Sequence, residues 1–143
     1  MSHQSLVACS SLLLFAVLPS VGFAQQAALA TPSYSSKAVQ VSPLSGDDKR
    51  ELVLNAVSIL PGGAIPMHIH SGDCVGSVIE GTVELLIDGQ PPRRVSVGEA
   101  YSNMRGSVHS FRNVGDGPAR LLNNLVVDKG VPRTQMIPAA VRP

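Results

Sequence analysis

Residues 62–81 read GGAIPMHIHSGDCVGSVIEG, and residues 98–113 read GEAYSNMRGSVHSFRN. Both stretches combine glycines with short apolar runs, and both carry histidine within these runs. Glycine adopts the backbone conformations that tight turns require, and short runs bounded by glycine are typical of β-strands. The two stretches therefore predict strands joined by tight turns, with imidazole side chains placed on the strands.

The rest of the sequence continues in the same way. Strands are predicted at residues 37–41, 51–60, 74–79, 82–87, 93–97, 109–114 and 119–127. Clusters of Gly and Pro mark the turns between them, and no segment keeps the roughly 3.6-residue period of an amphipathic helix. Short strands at regular spacing favour an all-β sandwich or barrel.

The composition excludes several classes of function. The chain has 143 residues, which is enough for one domain, and its 11 Lys and Arg residues nearly balance 10 Asp and Glu residues. Proteins that follow a nucleic-acid backbone usually show a strong basic excess, so we expect no nucleic-acid partner. Aromatic residues make up only 3% of the chain, which argues against a large ring-bearing ligand held by stacking.

The first 24 residues are predicted to be a signal peptide. No charged side chain occurs from residue 6 to residue 24, and Gly22-Phe23-Ala24 fits the pattern of a cleavage site. The apolar block at residues 12–18 is shorter than the about 20 residues that a membrane-spanning helix needs. We therefore expect a periplasmic or secreted protein with no membrane attachment once the signal is removed.

The mature chain is expected to form a single domain with short extensions. Residues 25–36 are small and polar and predict a flexible lead-in. Residues 37–128 hold the predicted strands. Residues 129–143 contain three prolines, which favour an extended tail.

Removal of the signal leaves one cysteine, Cys74, and three histidines, His68, His70 and His109. A lone thiol cannot form an internal disulfide, so Cys74 is a buried bystander, an intermolecular partner or a metal ligand. His68 and His70 are two residues apart, and both therefore point to one face of a strand. Two imidazoles on one face can hold a metal ion, and His109 on a later strand would complete such a site.

The spacing of these residues resembles the two motifs of the cupin superfamily, and most closely the small single-domain bacterial cupins of type 2. The residues that carry the resemblance are Gly62, His68, His70 and Gly81 in the first motif and Gly98, Gly106, His109 and Asn113 in the second. The resemblance implies a single jelly-roll β-barrel of antiparallel strands. It also implies a homodimer and one divalent metal ion.

Two positions depart from the family motifs. Cys74 stands where the family has a glutamate ligand, and Met104 stands where it has proline. The family pattern carries His68, His70 and His109 over as metal ligands, with Cys74 as the fourth candidate. A thiolate ligand would shift the preference from iron or manganese towards zinc or copper. A His₃Cys site, a His₃ site with Cys74 unbound and a site without stable metal binding all stay open, and so does the metal among Fe, Zn, Cu, Mn and Ni.

The resemblance leaves three functions to be distinguished. The first is an exported metal-dependent oxidoreductase of the dioxygenase type that acts on a small polar molecule. The dioxygenase type is suggested because a metal held by three histidines and no carboxylate is similar to the metal site of the thiol dioxygenases. The second is a non-catalytic periplasmic cupin that captures a metal or a small ligand. The third is an isomerase or a lyase, since a bound zinc ion would activate water.

Overall fold

The computed structural model describes residues 32–138, and within this range the chain forms strands and turns without a helix. The strands are β1 (Tyr34–Leu44), β2 (Asp47–Ile59), β3 (Ala64–His70), β4 (Gly72–Glu80), β5 (Thr82–Ile87), β6 (Arg93–Ser96), β7 (Ala100–Asn103), β8 (His109–Asn113), β9 (Ala119–Asp128) and β10 (Thr134–Met136). The predicted signal peptide, most of the predicted lead-in and the last five residues lie outside the described range. Between residues 32 and 138 we find no helix with the length and apolar character needed to cross a membrane.

Two antiparallel five-stranded sheets make up the fold. The first has the strand order β1-β2-β9-β4-β7 and the second has the order β10-β3-β8-β5-β6. Consecutive strands repeatedly change sheet, as β3 to β4 and β7 to β8 do. This arrangement confirms the predicted all-β jelly-roll fold.

Alternating side chains build the core between the sheets. On β9 the apolar residues Ala119, Leu121 and Leu125 are buried, while Arg120 and Asn124, which alternate with them, are exposed, as a strand with one buried face requires. The largest cluster of buried side chains consists of Val57, Ile59, Ile65, Val78, Val83, Leu85, Val95, Tyr101, Phe111, Ala119 and Leu121. Burial of this apolar surface is the main source of the stability of the fold.

The chain crosses between the sheets twice at one end of the sandwich. The turn after His70 leads from β3 to β4, and the loop 104–108 leads from β7 to β8. The backbone N–H of Gly106 donates to the carbonyl oxygen of His70 at 3.4 Å, which joins the two crossings. The end of β3 and the start of β8 therefore lie together at this end of the fold.

Most predicted strands agree with the structure to within a few residues, but four elements differ. Strand β3 holds His68 and His70 as expected of a strand, but no bounds were predicted for it. Strand β1 begins at Tyr34, three residues earlier than predicted, and it is longer because it pairs along most of β2. Strand β7 was not predicted, since it is short and carries the polar Asn103 on its inward face. Strand β10 lies in the predicted tail, where its three exposed residues pair with β3 without any alternation.

The glycines of the two motifs lie at turns and at close backbone contacts, as the sequence indicated. Gly81 has a φ angle of 77°, and a Cβ atom there would lie 2.7 Å from the carbonyl oxygen of Pro118. Asn113 has a structural role, because its Nδ2 donates to the carbonyl oxygens of Ile59, Leu60 and Gly117 at 2.8–3.1 Å. The loop after β8 is therefore fastened to the end of β2.

The approach of β4 to β9 at Gly72 gives a stability prediction. A Cβ atom at Gly72 would overlap the carbonyl oxygen of Val126. We expect Gly72→Ala to lower the free energy of unfolding by about 3 kcal/mol, because the strand must move. Gly117→Ala is the control, since nothing lies within 4 Å of its Cβ position. Equal chemical-denaturation midpoints for the two variants would contradict this packing.

Candidate metal centre

The structure brings three predicted ligands together in the interior. His68 and His70 lie two residues apart on β3, and His68 is the direct cross-strand neighbour of His109 on β8. The ring centroids are 4.2 Å apart for His68 and His109 and 5.0 Å apart for each of the other two pairs. One nitrogen of each ring lies within 4.8 Å of the others. We call these three residues the three-histidine centre.

Backbone carbonyl groups set the tautomer of each imidazole. Nδ1 of His68 lies 2.8 Å from the oxygen of Pro66, and Nδ1 of His109 lies 2.8 Å from the oxygen of Ser107. Nδ1 of His70 lies 3.2 Å from the oxygen of Arg133. A carbonyl oxygen can only accept, so each Nδ1 carries the hydrogen and each Nε2 keeps its lone pair. Metal-binding histidines in proteins are usually oriented in this way.

Burial keeps the imidazoles neutral at pH 7. Loss of hydration, together with a smaller contribution from the nearby His68, lowers the pKa of His70 to about 4. Burial likewise lowers the pKa of His109 to about 4, and it lowers the pKa of His68 below its ordinary value. The neutral form is the one that binds a metal, so the rings are in the ligating state without any proton loss.

The donor set fits a divalent metal ion. Nε2 of His109 is fully buried and has no hydrogen-bond partner among the described residues. An unpaired buried polar atom is costly, and a metal ion would satisfy it. Three imidazole nitrogens suit Fe, Zn, Cu or Ni, and they leave coordination positions open for other ligands. His68, His70 and His109 would hold such an ion.

Cys74 lies on the opposite sheet. It is 1% exposed and packs with the apolar residues Val53, Leu125 and Val127. Burial raises the pKa of its thiol to about 12, so the sulfur is protonated at neutral pH. The group of converging ligand atoms contains the three histidines and does not include Cys74. Ligation by Cys74 remains a prediction, and it would require loss of the thiol proton on metal binding.

The carboxylates around the centre have other partners or lie at the surface. Oδ1 of Asp73, next to Cys74, accepts a hydrogen bond from the backbone N–H of Arg105 at 2.9 Å. Oε2 of Glu80 pairs with Arg120 at 3.1 Å. Among residues 32–138 no Asp or Glu side chain is buried.

Sequence reasoning missed two contributions to the site. Thr134 and the carbonyl group of Arg133 contact Nδ1 of His70, each at 3.2 Å, although they lie more than 60 residues away in the chain. Asn103 is 1% exposed on β7, and neither polar atom of its amide has a partner among the described residues. The sequence held one signal for Asn103: it lies two residues after Tyr101, so both side chains point to the same face of a strand.

Two cavities lie at opposite edges of the sandwich. One, of about 220 Å³, is lined by Ser36, Ala38, Val53, Asn55, Leu125, Arg133 and Thr134. One wall adjoins the centre, because the hydroxyl of Thr134 lies 3.2 Å from Nδ1 of His70. The other, of about 460 Å³, is a more open groove along β7, and no residue of its lining contacts the rings of the three histidines through a hydrogen bond. The smaller cavity is the better candidate for a ligand route.

The two-sheet β fold with converging buried histidines is that of a small β-barrel whose interior could hold a metal ion. Residues 55–127, more than half of the chain, match the profile of the cupin domain family (Cupin_2). The chain belongs to this family, which confirms the resemblance seen in the two motifs.

Comparisons with known proteins extend this assignment. An oxalate oxidase solved in complex with the substrate analogue glycolate is 28% identical, with a TM-score of 0.54, over 60% of this chain and 46% of that chain. The DMSP lyase DddQ from Ruegeria pomeroyi DSS-3 has a TM-score of 0.60 over 73% of this chain and 51% of that one. At 22% identity it shows the shared fold.

The HTH-type transcriptional regulator PuuR of Escherichia coli K12 also matches this chain. It is 32% identical over 80 residues, which are 55% of this chain and 43% of the regulator. The chain therefore spans less than half the length of this curated relative.

The lowered histidine pKa values predict a pH-dependent stability of the metal-free protein. In the unfolded chain these histidines bind protons below pH 6.5, whereas His70 and His109 in the folded chain do so only near pH 4. The unfolded state therefore binds more protons between these values, and stability falls as the pH is lowered through this window. We expect the thermal midpoint to decrease steadily from neutral pH to about pH 5.

The control for this measurement is a variant with His68→Asn, His70→Asn and His109→Asn together. It has no histidine left among residues 32–138, so its midpoint should change little over the same range. A wild-type midpoint as flat as that of the variant would contradict the burial of neutral imidazoles.

Proposed function

We propose that this chain is a metal-dependent oxidoreductase of the dioxygenase type that acts on a small polar molecule. The observation that carries this proposal is the convergence of three neutral imidazoles with no carboxylate beside them. A metal ion held by these three imidazoles would keep coordination positions open for both a substrate and an oxidant. A bound redox-active metal such as iron would supply the electron transfer that oxygen chemistry needs.

The charge of the centre favours an anionic ligand. Three neutral imidazoles and a protonated Cys74 thiol would leave the double charge of a divalent ion uncompensated. A carboxylate in the low-dielectric interior would balance part of that charge. The likeness to the oxalate oxidase solved with glycolate supports a small carboxylate of this kind.

The size and lining of the cavity beside the centre agree with a small substrate. Its volume is about 220 Å³, which is below the usual range for drug-sized ligands. Ser36, Asn55, Arg133 and Thr134 give it a polar wall. The guanidinium of Arg133 pairs with Glu51 at 2.8 Å, so this cation is held in place at the rim.

A non-catalytic binding role is the second candidate. It is favoured by the replacement of the family glutamate by Cys74 and by the absence of a buried carboxylate among residues 32–138. In this role the centre would capture a metal ion or a small anion and release it unchanged.

We further propose that the protein acts after export. The uncharged stretch from residue 6 to residue 24 and the small residues before Gln25 support removal of a signal peptide. The mature chain would then work in the periplasm or outside the cell.

Oxygen consumption distinguishes the two candidates. The wild-type protein loaded with ferrous iron should consume oxygen with at least one member of a panel of small carboxylates, thiols and diketones. His109→Ala, which removes one ligand, should lower this rate at least a hundred-fold, whereas Glu99→Gln at the surface should not change it. The factor corresponds to about 2.7 kcal/mol of the activation barrier. Ligand binding by the iron-loaded protein without any turnover would support the binding role instead.

Metal content tests which residues are ligands. We expect protein purified from the exported fraction to carry one divalent ion per chain in the wild type and in Cys74→Ser, because three histidines suffice to hold it. His68→Ala and His109→Ala should each lose it. Loss of the metal in Cys74→Ser, with the fold intact by circular dichroism, would instead make Cys74 a ligand. Cys74→Glu is the matched variant, since it restores the family residue.

A further inference from the structure

Asn103 is the buried polar residue that the fold itself does not explain. It is the last residue of β7, and only 1% of its surface is exposed. Neither Oδ1 nor Nδ2 has a hydrogen-bond partner among the described residues. The other two buried asparagines differ in this respect, because Asn113 donates to three carbonyl oxygens and Asn123 accepts from the hydroxyl of Tyr101.

The topology places Asn103 opposite the three-histidine centre. Strand β7 ends at Asn103, and after the loop 104–108 the chain begins β8 on the facing sheet with His109. Two residues further into the sandwich, Tyr101 on β7 meets Phe111 on β8, with ring centroids 4.8 Å apart. Inward side chains alternate along both strands, so Asn103 and His109 form the next facing pair.

Asn103 also lies beside the position that holds glutamate in the family. In the pairing of β4 with β7 its direct partner is Cys74, and both side chains point inward. The protonated thiol of Cys74 offers little to an amide. Among residues 32–138 the buried side-chain groups without a partner are the hydroxyl of Ser71, the amide of Asn103 and Nε2 of His109. From the strand positions we infer that the last two point towards each other across the interior.

An amide buried with both ends unpaired costs free energy, so its retention needs an explanation. The amide can donate through Nδ2 and accept through Oδ1 at the same time. It therefore matches a ligand that carries an acceptor oxygen and a hydrogen-bond donor close together, such as a small hydroxy or amino carboxylate.

We propose that Asn103 is a ligand-binding residue that hydrogen-bonds the small carboxylate held at the three-histidine centre and selects those with an adjacent hydroxyl or amino group. This inference rests on the proposed function, because it needs a metal-held ligand. It adds the residue that recognises the ligand and the chemical class of that ligand.

The test compares wild type, Asn103→Leu and Asn123→Leu, with Asn103→Ala as a second variant of the same residue. Each protein is loaded with Co(II), and the dissociation constant of glycolate is measured from the change in the visible spectrum. We expect Asn103→Leu and Asn103→Ala to keep the Co(II) stoichiometry and to bind glycolate about ten-fold more weakly, the factor for one hydrogen bond to a charged group. Propionate lacks the hydroxyl, so the same two substitutions should weaken its binding by a smaller factor.

The metal-free proteins supply a second measurement. Leucine at position 103 removes an unpaired buried amide, so the thermal midpoint of Asn103→Leu should equal or exceed that of the wild type. Asn123→Leu should lower the midpoint, because it leaves the Tyr101 hydroxyl unpaired, but it should leave the glycolate affinity unchanged.

Each result decides between the possibilities. Equal glycolate affinity in wild type and Asn103→Leu, or no glycolate binding by the Co(II)-loaded wild type, would overturn the role of Asn103 while leaving the metal centre intact. A lower midpoint for metal-free Asn103→Leu would also overturn it, because Asn103 would then have a structural partner. Failure of the wild type to bind Co(II) at all would instead refute the proposed function and this inference with it.

Discussion

The site depends on the hydrogen bonds between each imidazole Nδ1 and a backbone carbonyl oxygen. The oxygens belong to Pro66, Ser107 and Arg133. Because the acceptor is part of the main chain, the ring position follows directly from the path of the strands. Each bond fixes a tautomer and leaves Nε2 available. Burial then keeps the rings neutral, so the folded chain is ready for a metal before any metal binds.

These three bonds have different origins. Pro66 and Ser107 each lie two residues before the histidine they hold, so the local path of the backbone is enough for His68 and His109. Arg133 is 63 residues after His70, and its carbonyl reaches the ring because β10 pairs with β3. The centre therefore combines two candidate ligands that are positioned locally with a third whose position requires the C-terminal strand.

The sequence predicted the elements whose pattern is local. Alternation and turn residues located most strands, and the two-residue spacing placed His68 and His70 on one face. Strand β10 was not found, because all its residues are exposed and show no alternation. Strand β7 was not found either, since a polar residue on its inward face removes the signal that hydrophobic alternation gives.

The sequence by itself determined which residues are candidate metal ligands, where the turns between the strands lie and that Cys74 replaces the family glutamate. Only the tertiary structure decided that Arg133 holds His70, that Cys74 lies among apolar side chains, and that the amide of Asn103 is buried without a partner among the described residues. The physical reason is that these contacts join residues from different strands and opposite sheets. Periodicity along one strand tells which face a side chain occupies, but not which residue meets it across the interior.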